Sequence, residues 1–175
     1  LEFEALSGVT SLVAEGVAHV GPNLRDVNIN YDFGNGIEIQ AGQFKVPFTF
    51  DTLVSDSGNE FIDRTITDDV FGLERDLGVN LHGRPADGKF DYSLHVMNEG
   101  INRNTFNNND ELLVGSRRVF NLLGDHRYTT GDPEYSKEPD LAVGIAANFN
   151  RVGNPPAADQ SIIATTGDIA YRHLG

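Results

Sequence analysis

Along most of this chain apolar and polar residues alternate with a period of two, a pattern that builds strands and cannot build an amphipathic helix. From Leu24 to Phe33, Val27, Ile29, Tyr31 and Phe33 share one face, and Asp26, Asn28, Asn30 and Asp32 share the other. Gly34-Asn35-Gly36 reads as a turn, after which Ile37, Ile39 and Ala41 alternate with Glu38 and Gln40. A three-residue loop pairs Phe33 with Ile37 and Tyr31 with Ile39, so apolar meets apolar, and glycine supplies the positive φ that the loop needs. A second hairpin sets Leu77, Val79 and Leu81 against Phe90, Tyr92, Leu94 and Val96, with Arg84 to Gly88 as the turn. Leu112 to Leu122, Leu141 to Asn150 and Ile162 to His173 are further strands. With Leu1 to Leu6 the chain holds about eight strands, joined as neighbouring antiparallel pairs.

The connections are uneven. Thr49 to Glu74 carries no strand pattern, Asn98 to Asp110 is rich in Asn, and Leu123 to Pro139 is rich in turn formers. Gly8 to Pro22 reads equally as a short helix over Leu12 to Val20 or as a poor strand. Ser57-Gly58-Asn59-Glu60 fits a capping box and predicts one helical turn. A connection as long as Thr49 to Glu74 is uncommon without a function. Phe50, Leu53, Phe61, Ile62, Val70 and Phe71 give it apolar anchors, and these predict a packed segment starting near Phe48.

The alternation fits a soluble sandwich, with the apolar face in a shared core, or a membrane barrel, with that face in lipid. The polar faces carry Gly, Ala, Ser, Asn and Asp at strand centres, and aromatic residues sit towards strand ends, which favours the barrel. No window holds the ~18 apolar residues of a membrane helix, a test that barrels escape. With 26 acidic and 13 basic residues, a net charge of −13 excludes a nucleic-acid partner, which requires a dense basic footprint. The absence of cysteine removes disulfides and thiolate chemistry. The five histidines lack metal-ligand spacing, and carboxylate pairs such as Asp68-Asp69 are expected by chance in so acidic a chain, so the chain reads as non-enzymatic and cofactor-free. It starts and stops within strand patterns, as a fragment of a longer protein would.

Gly42-Gln43-Phe44-Lys45-Val46-Pro47-Phe48 resembles the G-Q-F-K-x-P-F segment of the phosphate-selective porins O and P. Leu24-Arg25-Asp26-Val27, Arg75-Asp76-Leu77-Gly78-Val79 and Arg117-Arg118-Val119-Phe120-Asn121 are similar to successive strand starts of that family. The resemblance implies an all-β, antiparallel up-and-down transmembrane β-barrel. It would typically have sixteen strands and be homotrimeric in the bacterial outer membrane, contacting lipid and passing small hydrophilic solutes or ions. Residues 1–175 would form one partial barrel domain, about half the wall, and residues 48–75 the loop that folds inward and narrows the pore. The alternative is a β-barrel or soluble β-sandwich module of the cell envelope that binds or scaffolds without transport. Leu123 to Pro139 departs from the porin pattern, because it is long on the side where turns should be short.

On the barrel reading, Asp26, Asp32, Glu38, Asp76, Asp91 and Asp168 line the lumen with Lys45, Lys89, Arg117 and Arg172. The constriction would carry Asp51, Asp56, Glu60, Asp63, Asp68, Asp69 and Glu74 against Arg64 and Arg75. Seven acids and two bases favour cations or neutral solutes over phosphate, which needs clustered Lys or Arg donors. Arg118 would face outward beside Val114 and Phe120.

Overall fold

Eight strands form one antiparallel sheet in unbroken chain order, each paired to the next. They are β1 (Glu2–Ala14), β2 (Val17–Gly34), β3 (Ile37–Lys45), β4 (Arg75–Gly83), β5 (Phe90–Met97), β6 (Leu113–Leu123), β7 (Asp140–Val152) and β8 (Gln160–Arg172). Two short helices, α1 (Phe50–Leu53) and α2 (Ile66–Phe71), lie between β3 and β4. This computed structural model describes residues 2–14, 17–55, 58–59, 64–98, 111–126, 128–130, 137–152 and 160–173. β1 and β8 are not paired with each other, so the sheet is an open up-and-down wall, and among the described residues no second sheet covers it.

The period-2 pattern dictates the two faces. Ile29, Tyr31, Ile37, Ile39, Leu77, Val79, Leu81, Leu94, Val96, Val114, Phe120, Ile145, Phe149, Ile169 and Tyr171 are all exposed on one face. Asn28, Asn80, Ser93, His95, Arg117, Asn121, Asn148 and Asn150 are buried on the other. A soluble sheet does the reverse, since leaving this much apolar surface in water forfeits roughly 25 cal/mol for each Å². Along β7, Ala142, Gly144, Ala146, Asn148 and Asn150 are buried as the alternation requires. Arg118 is exposed on the apolar face, opposite Tyr92 on β5 and Ile145 on β7, so the predicted register holds there.

One open reading is settled and two expectations are corrected. The described residues of the ambiguous stretch, Gly8 to Ala14 and Val17 to Pro22, belong to strands, because β1 and β2 pair from Glu2↔Asn30 through Ala14↔Val17. Cross-strand pairing settles a stretch whose own propensity is mixed. In the first hairpin Tyr31 does pair with Ile39, but Ile37 pairs with Gly34 rather than Phe33. Asn35 and Gly36 both adopt positive φ, which closes the turn in two residues and leaves Phe33 in a bulge.

The third concerns the segment between β3 and β4. Its buried apolar residues are Val46, Phe48 and Val54, of which Val46 and Phe48 pack with Phe44, Met97, Leu113 and Ala146 of the polar face. Val70 and Phe71 are instead 66% and 63% exposed. α2 turns the other way because its first turn is capped by Thr65 and its Asp68 is held towards α1. Ser57, Glu60, Phe61 and Ile62 lie outside the described residues.

Candidate functional site

Among the described residues, most ion pairs lie on the polar face and on the two segments that rest on it. The first segment runs from Val46 to Glu74. The Thr49 hydroxyl caps α1 by accepting from the Thr52 N–H at 3.1 Å. The hydroxyls of Thr49 and Thr52 each donate to Asp68 Oδ1 at 2.6 Å, tying α1 to α2. Arg64 donates to the Asp51 carbonyl and, at 2.9 Å, to the Val54 carbonyl, and stands 3.9 Å from Asp68. Lys45 Nζ donates to the same Val54 carbonyl at 2.7 Å. The Val46 N–H donates to the Glu74 carbonyl at 2.9 Å, closing the base of the segment beside β4.

The second segment is the β6–β7 connection. It leaves the sheet at the end that carries the Asn35-Gly36 and Pro85–Lys89 turns, where Asp125 meets Arg84. The strand count around it is as predicted, and its described residues His126 and Tyr128 to Thr130 reach back over the polar face. His126 Nδ1 is 2.6 Å from Asp140 Oδ1, and Arg172 reaches Asp140 Oδ2 at 2.5 Å. Burial pushes the Tyr128 phenol above its ordinary pKa, against the opposing pull of Arg117.

Arg117 sits under both segments, its side chain 2% exposed. Nη2 donates to Asp168 at 2.5 and 2.8 Å, Nη1 to the Phe48 carbonyl at 2.9 Å, and Nε to the Tyr128 hydroxyl at 3.4 Å. Gly144 makes the room, because a Cβ there would stand 2.3 Å from Asp168 Oδ2 and 2.6 Å from Arg117 Nη2. Beside it an uncharged polar belt crosses four strands, β4 to β7. Ser93 donates to Asn80 at 2.6 Å, and His95 Nε2 lies 3.0 Å from Asn148 Oδ1, over the space left by Gly115.

Of the predicted lumen charges, Asp26 pairs with Arg75 at 3.1 Å, Asp91 with Arg84 at 2.7 Å, and Asp168 with Arg117. Arg84 is a partner that the alternation alone could not nominate, because it sits in a turn. Asp140 and His126 were likewise missed, for their roles depend on a fold-back that leaves no local pattern. Lys89 is exposed at the end of its turn, before β5 begins. Asp76 accepts from the Leu77 N–H at 2.8 Å. Asp32 and Glu38 stand directly opposite each other, and neither belongs to an ion pair among the described residues. Asp32 accepts from the Gly34 N–H and Glu38 from the Asn30 amide. Asp56, Glu60, Asp63 and the side chain of Asp69 lie outside the described residues. Among the described residues no three His, Asp or Glu side chains group as a metal site would need.

An up-and-down antiparallel wall, apolar on its open face and polar beneath the segments packed on it, is the wall of a transmembrane β-barrel. The sequence profile of the phosphate-selective porins O and P matches residues 2–138. The chain belongs to that family, which is one of bacterial outer-membrane channels rather than enzymes. Comparison with curated proteins and comparison with solved structures each return no match.

Proposed function

We propose that this chain is part of the wall of an outer-membrane porin, a water-filled channel through which small hydrophilic solutes or ions diffuse passively. Its apolar face meets outer-membrane lipid, its polar face lines the lumen, and residues 1–175 belong to one barrel domain that assembles as a homotrimer. The observation that carries the reading is the exposure of Ile, Leu, Val and aromatic residues on one face of the strands while Asn, His and Arg are buried on the other. Residues 48–75 form the constriction, because their buried anchors hold them against the polar face. No bond is made or broken; the protein supplies a bore and a field.

The same reading assigns a preference for cations or neutral solutes over phosphate. Asp68, Asp26, Asp91 and Asp168 spend their charge on arginines, but Asp32 and Glu38 face each other without such compensation. Fixed carboxylates in a narrow lumen raise the local concentration of counter-ions. Planar-bilayer recording on the full-length protein tests both statements. Stepwise conductance with a cation-selective reversal potential in a salt gradient is expected. No conductance would refute the channel, and an anion-selective potential would refute the selectivity.

A further inference from the structure

The two segments on the polar face come from opposite ends of the wall, and they touch. The Thr130 N–H donates to the Gly58 carbonyl at 3.1 Å, and the Thr130 hydroxyl donates to Asn59 Oδ1 at 2.9 Å. The Phe50 ring lies 5.6 Å from Tyr128 and 5.8 Å from His126, within the range of favourable aromatic contact. Both segments are fastened to the same guanidinium. Arg117 spends Nη2 on Asp168 of β8, Nη1 on the Phe48 carbonyl of the first segment and Nε on the Tyr128 hydroxyl of the second. Its carbon also stands 5.8 Å from the centre of the Tyr128 ring.

We infer that His126 and residues 128–130 are a second jaw of the constriction, closing on the first jaw at Gly58 and Asn59. Arg117 is the positioning residue that sets the distance of both jaws from the wall. The inference rests on the channel reading of the polar face. Asn59 and Thr130 are only half-buried, so their contact reaches the accessible surface. A planar fork of five donors can serve three elements at once, whereas an ammonium offers a point charge on a flexible stem. The connection therefore does more than link two strands: it supports the free side of the first jaw, which wall contacts alone leave cantilevered.

Residues 1–175 hold no cysteine, so a pair introduced there can be cross-linked in the full-length protein once any cysteine elsewhere is replaced by Ser. Asn59→Cys combined with Thr130→Cys should be joined by a short bis-maleimide in the folded, membrane-inserted protein. Asn59→Cys combined with Thr165→Cys should not, because Thr165 is exposed on the apolar face. Absence of cross-linking in the first pair would overturn the two-jaw arrangement whether or not the protein conducts. In bilayers, Arg117→Lys keeps a cation beside Asp168 but loses the fork. It should raise single-channel conductance by about twofold and admit larger polyethylene glycols, while heat-modifiable mobility stays that of the wild type. Tyr128→Ala should do the same. Unchanged conductance and size cut-off in both variants would overturn the positioning role. Cross-linking of the Asn59→Cys/Thr130→Cys protein together with a wild type that does not conduct would instead sink the channel reading.

Discussion

The polar face has a covered half, β5 to β8 beneath the two segments, and an open half around β2, β3 and the start of the Asn35-Gly36 turn. In the covered half the charges are spent on structure: Arg117 with Asp168, and Arg172 with Asp140. In the open half Asn28 meets Gln40, Asn30 meets Glu38, and among the described residues Asp32 has only its own turn amide. The difference teaches that counting acids overstates the field a solute meets. A buried, arginine-bound carboxylate is nearly invisible to it, whereas an uncompensated one at the surface is not.

Four changes would break or sharpen that contrast. Arg117→Ala strands Asp168 in the covered half and should cost about 3–5 kcal/mol in a denaturant-unfolding measurement. Loss of under ~1 kcal/mol would show that the pair is not structural. Gly144→Val forces the same pair apart from below and should cost about 1–3 kcal/mol, with a lower midpoint on heating in detergent. Asp32→Asn with Glu38→Gln, in the open half, should leave stability within about 0.5 kcal/mol. That double variant should nevertheless move the reversal potential towards zero, most visibly at low salt; an unmoved potential would mean that the selectivity charges lie elsewhere.

The smallest effect concerns Tyr128. Its phenol titrates higher when folded than when unfolded, so the folded state holds its proton longer. The stability this contributes is complete below the unfolded value of about 10 and is lost as pH rises through the raised folded value. Tyr128→Phe should therefore flatten the alkaline fall in stability measured by unfolding between neutral and strongly basic pH. An identical slope in both proteins would place the phenol in contact with solvent.

Strand identity and facing were legible because burial rewards one parity, and a slip by one residue inverts every side chain. Even the outward Arg118 followed from counting. The Asn35-Gly36 turn was legible as a turn but not in its register, because whether Phe33 or Gly34 faces Ile37 depends on which residues take positive φ. The first long segment was recognisable by its length and its neighbours, yet its anchors were misassigned. Val46 and Phe48 precede the apparent loop, while Val70 and Phe71 look buried only if hydrophobicity is taken as position. Its helices carried a readable signal in Thr65-Ile66-Thr67-Asp68, a capping sequence that was passed over for Ser57 to Glu60. The course of the β6–β7 connection had no such signal, since His126, Tyr128 and Thr130 find their partners far away in sequence.

Those distances bear on the order in which the molecule is assembled. Phe48 lies 69 residues before Arg117, and Asp168 lies 51 residues after it. Each hairpin can close on its own neighbour at small entropic cost, but the Arg117 junction cannot form until β8 has been laid beside β7. The two segments are thus locked onto the wall only once β8 is in place. A chain arrested before β8 would leave the Arg117 charge beneath both segments still seeking its carboxylate.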